Sequence, residues 1–447
     1  MSKSPFRKIK MLSLLGEEGK EKTSSFFFEE GEEENNCLCL YPEAKMEEFE
    51  GLGGALTEAS GYVYSLLSKK QKEQLIESYF SEEGLAYSFL RIPIDSCDFS
   101  LGQYEASPKG DWSDFSFSRL EKTIFPMLDD IQAYLKRPIP LFLSPWSPPK
   151  IMKDNGKREK GGKLKKECYR AWALYLANYV LEYRKRGYLV THLTLQNEPH
   201  ASQTWDSCLY DAKEEKVFLR DFIIPIFQEK GLSDIRFYLW DHNKERVYEW
   251  MRDILDETTS PYVEGAAFHW YSGDHFEALD LCKRYYPEKK LVVSESCIEF
   301  SKFEKGTSFL NAMRLIHEAI GDVNHGICRF YDWNLLLDQD GGPNYVGNYT
   351  LAPFHFDTGK KELEKQLIAD YYRLLSKTMR PKSRAIALSR PDQNLDVLAS
   401  IDPLGHIAVL IANPEKERTI TLRLDGLQAT IDLPPSSLNH LRLLPED

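Results

Sequence analysis

The sequence predicts an α/β fold, a (β/α)8 TIM barrel with a side β-sandwich domain built from both chain termini. Three observations predict it. From Glu48 onward, short apolar runs alternate with longer amphipathic stretches, the rhythm of a parallel sheet with crossover helices. Eight such runs can be counted, the number that closes a barrel of this kind. Before and after this region the chain reads instead as strands separated by turn residues.

The elements follow in order. Residues 1–45 hold Met11-Leu-Ser-Leu-Leu, Ser24-Ser-Phe-Phe-Phe and Cys37-Leu-Cys-Leu between Gly- and Glu-rich turns, and are assigned to the N-terminal strands of the sandwich. Residues 46–380 form the barrel. Its strands are predicted at Phe49–Leu56, Tyr87–Pro93, Ile139–Ser144, His192–Asn197, Ile235–Asp241, Gly265–His269, Lys290–Glu295 and Gly326–Trp333. Ser68 is a helix N-cap before Lys69-Lys-Gln-Lys-Glu-Gln-Leu-Ile-Glu, and Glu167–Arg186 carries apolar positions at helical spacing. The basic stretch from Lys150 to Glu167 reads as a solvated loop rather than a phosphate site. Residues 381–447 return to strands at Ile386–Leu388, Leu395–Ser400, Ile407–Ala412, Thr419–Leu424 and Leu438–Leu443, with turn signals at Asp402-Pro-Leu-Gly405 and Leu424-Asp-Gly-Leu427. A sandwich built from both ends brings the termini together.

Composition bounds the partners. The chain has 447 residues, 42% hydrophobic and 13% aromatic, enough for a large core. A net charge of −12 argues against nucleic acid or an anionic membrane surface as the main partner. No apolar run approaches a membrane span, and no signal-like apolar segment follows the basic start, so a cytoplasmic location without stable membrane insertion is expected. The eight cysteines are scattered, consistent with reduced thiols, and no metal-ligand spacing or cofactor-binding glycine pattern appears. The sequence does not give the oligomeric state.

Two acids stand at the tips of predicted strands. Glu198 ends Leu193-Thr-Leu-Gln-Asn-Glu198, and Glu295 ends Leu291-Val-Val-Ser-Glu295. They are about three strand–helix units apart in a barrel of ~250 residues and eight units. Barrels place chemistry at strand C-termini, and two carboxyls in one pocket suit a glycosidase. Alone, Glu198 before Pro199 also reads as a helix start, and Glu295 as half of a structural ion pair. The same rule selects Arg91, Asp95, Trp146, Asn197, Asp241, His242, His269, Tyr271, Tyr331 and Trp333 for the rim. Arg91 and Tyr271 are suited to donate to Glu295, and Asn197 to reach a sugar 2-hydroxyl. His269 reads either as a substrate contact or as a satisfied core histidine. The proton donor of such a pair needs a raised pKa. No serine nucleophile elbow or zinc helix is present.

Phe49-Glu-Gly-Leu-Gly-Gly-Ala-Leu-Thr-Glu-Ala-Ser60, Arg91-Ile-Pro, Ser96-Cys-Asp-Phe-Ser100 and Ser144-Pro-Trp-Ser-Pro-Pro149 resemble glycoside hydrolase family 30. Gln196-Asn-Glu-Pro199, Phe268-His-Trp-Tyr271, Ser294-Glu295 and Trp333-Asn-Leu with Gly341-Gly-Pro-Asn344 do so too, in the branch that includes acid β-glucosidase, the glucosylceramidase. The resemblance covers residues 45–380 and implies a retaining double displacement, with Glu198 as acid/base and Glu295 as nucleophile. It also implies sugar contacts from Asp98, Trp146, Asn197 and Trp333, and favours Asp98 over Asp95. The expected activity is exo-hydrolysis of β-glucosides. The alternatives are a β-xylosidase, a β-fucosidase or an endo-β-1,6-glucanase, and, outside enzymes, a silent carbohydrate-binding protein. Retention implies carboxyl groups ~5–5.5 Å apart.

Overall fold

The apolar runs of the middle of the chain form eight strands: Gly51–Ala55, Phe89–Ile94, Pro140–Pro145, Leu189–Thr194, Arg236–Asn243, Val263–His269, Lys290–Glu295 and Arg329–Asp332. They close a barrel in chain order, and from strand one to strand seven each neighbouring pair is parallel. In strand seven Leu291, Val292 and Val293 are all fully buried, as expected where both faces of a parallel sheet are covered. The first strand is glycine-rich for a steric reason: a Cβ on Gly53 would lie 2.5 Å from the Phe89 carbonyl, and one on Gly54 2.1 Å from Asp332 Oδ1. The computed structural model describes residues 5–31, 35–303 and 308–445.

The helix Lys69–Phe80 starts at Ser68, whose hydroxyl accepts from Gln71 N while the Gln71 side chain accepts from Ser68 N, a complete capping box. The helix Tyr169–Lys185 buries Tyr175, Tyr179 and Tyr183 at four-residue spacing. Tyr175 donates to Asp95 Oδ2 at 2.7 Å and Tyr179 Oη accepts from Asp95 N at 3.2 Å. This helix therefore fixes the loop that follows strand two. Three short strands, Leu337–Asp338, Phe354–Asp357 and Glu362–Lys365, form a small sheet absent from the sequence reading.

By contact the chain divides into two compact units, Leu52–Glu304 with Phe330–Lys365, and Met1–Gly51 with Lys305–Arg329 and Gln366–Asp447. The second unit is built on a ten-stranded sheet from both ends of the chain. Phe6–Leu15 runs antiparallel to Ser437–Pro445, so the ends of the chain are neighbours. Ile9, Leu38, Ile386, Val397, Val409, Ile420, Ile431 and Leu441 share one core cluster. The sheet includes Leu427–Leu433, which was not predicted. It joins Arg418–Leu424 through a two-residue turn with Asp425 and Gly426 at φ of 50° and 79°, the positive values a tight hairpin needs. The helices Ser308–Asn324 and Leu367–Thr378 belong to this unit and pack on Asp396–Ile401 and Ile407–Asn413. No helix among the described residues is long and apolar enough to cross a membrane. Six of the eight cysteines are buried.

Candidate active site

A buried arginine organises the C-terminal end of the barrel. Arg91, in strand two, is fully buried. Its Nη1 donates to Glu295 Oε2 at 2.8 Å, and its Nη2 donates to Asn197 Oδ1 at 2.8 Å and Asp241 Oδ2 at 2.9 Å. A guanidinium at this depth needs anionic partners, and Asp241 and Glu295 supply them. Burial works against the Arg91 charge, but the two carboxylates outweigh it and raise its pKa. Asp241 is held by five donors, since Ser144 and Thr194 reach the same oxygen as Arg91, and Ser294 and His269 reach the other. Burial pushes its carboxyl up, yet the Arg91 charge and the His269 bond hold it well below the usual range.

Glu295 ends strand seven, and Tyr271 Oη donates to its second oxygen at 2.8 Å. Both oxygens of this carboxylate are thus fixed, one by Arg91 and one by Tyr271. Glu198 is held differently. Strand four ends at Thr194 rather than Asn197, so Glu198 lies in the loop beyond it with φ of 49°. Its N–H donates to the Asp241 carbonyl at 2.9 Å, and Trp240 and Asp241 also have positive φ, 76° and 54°. Non-glycine residues in this region are uncommon, and three side by side mark a strained junction. The helix-start alternative for Glu198 fails here, because the next helix begins at Ala212 with Asp211 as its cap.

Glu198 Oε1 lies 3.3 Å from His269 Nδ1 and 3.8 Å from His242 Nδ1, and Gln203 Nε2 donates to Oε2 at 3.3 Å. Burial raises the Glu198 carboxyl, but the His269 bond and the two imidazoles prevail and lower it. This departs from the raised acid expected from sequence. His269 moves the other way. Burial lowers its pKa, but Glu295, Asp241 and Glu198 surround it and raise it to about 9. Its Nε2 lies 3.2 Å from Asp241 Oδ1, so both ring nitrogens are engaged by carboxylates. His269 is fully buried and is not among the residues lining the cavity, which fits the alternative of a satisfied core histidine.

Glu198 and Glu295 line a cavity of about 420 Å³ together with Asp98, Trp146, Asn197, Tyr271 and Trp333. Trp146 and Trp333 stack with centroids 5.4 Å apart, and the Arg91 guanidinium lies over both rings at 4.9 and 5.6 Å. Asp98 accepts from Asn344 Nδ2 at 3.1 Å. Burial, then the charges of Glu295 and Glu198, push its carboxyl well up, against the Asn344 bond. Asp95 lies outside the cavity wall, held by Tyr175, the Ala106 amide and Arg158. Tyr331 packs between Phe89 and Phe142 and also lies outside the wall. The sequence reading missed Gln203, Asn344 and Asn243. Asn243 had one available signal, its place two residues after Asp241.

Residues 49–377 match the sequence model described as the glycosyl hydrolase family 30 TIM-barrel domain. The lysosomal acid glucosylceramidase of Mus musculus is 30% identical over 400 residues, which span 85% of this chain and 78% of that protein. The endo-1,6-β-D-glucanase of Neurospora crassa is 25% identical over 322 residues, 69% of this chain and 64% of that one. Among solved structures, SrfJ from Salmonella typhimurium has a TM-score of 0.92 at 33% identity, covering 98% of this chain and all of its own.

Proposed function

Because the chain belongs to glycoside hydrolase family 30, we propose that it removes β-linked glucose by double displacement, with Glu295 as nucleophile and Glu198 as acid/base. In the first step a Glu295 oxygen forms a bond to the anomeric carbon as the bond to the aglycone oxygen breaks. Glu198 delivers its proton to that leaving oxygen. In the second step Glu198 takes a proton from water, the water oxygen attacks the anomeric carbon, and the glycosyl–Glu295 ester breaks. The sugar leaves with its configuration retained.

The observation that carries this reading is the difference in how the two acids are held. Glu295 is fixed on both oxygens by Arg91 and Tyr271, which hold the carboxyl group in one orientation, as a nucleophile needs. Glu198 shares a proton-bearing partner, His269, at 3.3 Å. Around them, Trp146 and Trp333 offer aromatic faces for the apolar side of a sugar. Arg91 occupies Asn197 Oδ1, so the amide nitrogen is the atom left for the 2-hydroxyl. Asp98 is suited to a hydroxyl at the far end of the ring. Glucose is favoured by the mouse relative, whose name specifies a glucosyl substrate.

The test is intact mass after incubation with a 2-fluoro β-glucoside bearing an activated leaving group. A covalent adduct is expected, and peptide mapping should place it on Glu295. An adduct with the xyloside but not the glucoside would redirect the sugar assignment. The α-anomer as first product by NMR would show inversion and overturn the mechanism.

A further inference from the structure

Three loops at the C-terminal end of the barrel are joined by one tyrosine. Asp98, in the loop after strand two, lines the cavity and is buried. Asn344 and Tyr345, in the loop after strand eight, hold it at two points. Asn344 Nδ2 donates to its carboxyl at 3.1 Å, and Tyr345 N donates to its backbone carbonyl at 3.1 Å. The Tyr345 side chain then crosses to the loop after strand four. Its Oη donates to Asp206 Oδ2 at 2.8 Å and accepts from Asp206 N at 3.2 Å. Asp206 is buried, and its Oδ1 accepts from Arg158 Nε and, at 3.0 Å, from Ser96 Oγ. Ser96 lies just before Asp98 in the chain. A closed ring of contacts thus runs from Asp98 through Tyr345, Asp206 and Ser96 back to Asp98.

Neither Tyr345 nor Asp206 is among the described residues lining the cavity, so they reach a sugar only through what they hold. Asp98 is the part that needs holding. It shares the cavity with Glu198 and Glu295, and burial together with their charges works against its ionised form. A carboxyl on a loop in such company keeps one orientation only if its supporting residues are themselves fixed. Asn344 is such a support, and Tyr345 is the next residue along the same loop. A hydroxyl that donates to and accepts from a single residue fixes direction as well as distance. We infer that Tyr345 is a positioning residue for Asp98, its hydroxyl clamped on Asp206 so that the Asp98 carboxyl meets one hydroxyl of the sugar at a set angle. The inference rests on the sugar contact of Asp98 proposed above. Asp206 and Ser96 complete the clamp, and Arg158 neutralises it from behind.

The test compares Tyr345→Phe with the wild-type chain on p-nitrophenyl β-glucoside and its 3-, 4- and 6-deoxy analogues. Asp206 keeps Arg158 and Ser96 in this variant, so no charge is stranded. The penalty of each analogue is the factor by which its kcat/KM falls below that of the full glucoside. A well-placed carboxyl makes one hydroxyl count for more than the others. One penalty should therefore shrink about 3- to 10-fold in the variant, the worth of about one hydrogen bond, while the other two stay within about twofold. A merely structural role lowers turnover on all four substrates alike and leaves the penalties as they were. Ser96→Ala, which withdraws another bond of the ring, should shrink the same penalty, and it carries the test should Tyr345→Phe not fold. Penalties unchanged, or all three shrinking together, would overturn the inference while leaving the glycosidase reading intact. Failure of the wild-type chain to turn over the aryl glucoside, with no adduct on Glu295, would overturn that reading and the inference with it.

Discussion

His269 should set how the stability of the protein falls on the alkaline side. Its pKa rises from an ordinary 6.5 to about 9 in the folded chain, where three carboxylates outweigh its burial. A group whose folded pKa is raised contributes stability that is fully present below the unfolded value and lost as pH climbs through the folded one. The interval from 6.5 to about 9 corresponds to about 3 kcal/mol, lost at up to ~1.4 kcal/mol per pH unit. His269→Asn keeps a polar side chain between Asp241 and Glu198 but does not titrate there. Urea unfolding at half-unit steps from pH 5 to pH 10 measures the effect. The variant will be less stable in absolute terms, because Asp241 and Glu198 lose their cationic partner, but the informative quantity is the slope. Between pH 6.5 and 9 the wild-type curve should fall more steeply than the variant curve. Glu215, raised by burial to about 8, and Lys153, lowered by burial to about 8, titrate in the same interval but in both proteins, so the difference isolates His269. Parallel curves would refute the reasoning.

Four further outcomes follow from the same geometry. The basic limb of kcat/KM for an aryl glucoside should lie near 9, where His269 loses the proton it shares with Glu198; a limb below about 7 would tell against sharing. Tyr271→Phe removes a 2.8 Å bond to the Glu295 carboxylate worth ~1.5–3 kcal/mol, so kcat/KM should fall about 10- to 100-fold with little change in melting temperature; a loss under twofold would count against it. Arg158→Met strands Asp95, Glu105 and Asp206 around a removed, fully buried guanidinium, and the urea midpoint should report ~3–5 kcal/mol of lost stability. Ser68→Ala opens an exposed capping box and should cost ~1 kcal/mol in the same assay without altering kcat.

What could be read in advance depended on how local the physics is. Glu295 was legible because an acid closing a run of buried aliphatic residues has few explanations, and Ser68 because a capping box spans only four residues. The hairpin strand Leu427–Leu433 carried the same kind of signal, a turn at Asp425-Gly426 and alternating burial of Leu427, Ala429, Ile431 and Leu433. Only its turn was noticed. Arg158 was not legible at all, since its three carboxylates come from loops after two different strands, and a basic stretch in a Gly-rich segment resembles a solvated loop. The helices Ser308–Asn324 and Leu367–Thr378 show the same limit, because an amphipathic face does not name the sheet it covers.

The location of one proton was the least legible feature and bears most on mechanism. Sequence reasoning treats the catalytic acid as an isolated carboxyl whose pKa must be raised by apolar surroundings. The folded chain instead pairs Glu198 with His269, 71 residues away, and lowers the acid while raising the imidazole. The two shifts describe a single proton held between Nδ1 and Oε1, so the pair rather than either residue is the titrating unit. The directions of the two shifts place that proton on Nδ1 of His269, while the Nε2 side of the ring faces Asp241. On the proposed function, a sugar in the cavity would deepen the burial that already works against the Glu198 charge. A shift of the proton along the 3.3 Å contact then replaces an ion pair with two neutral groups, which a drier site favours. On the assignment of Glu198 as acid/base proposed above, it need not be a weak acid at rest: the substrate would make it one, and His269 would supply the proton it delivers.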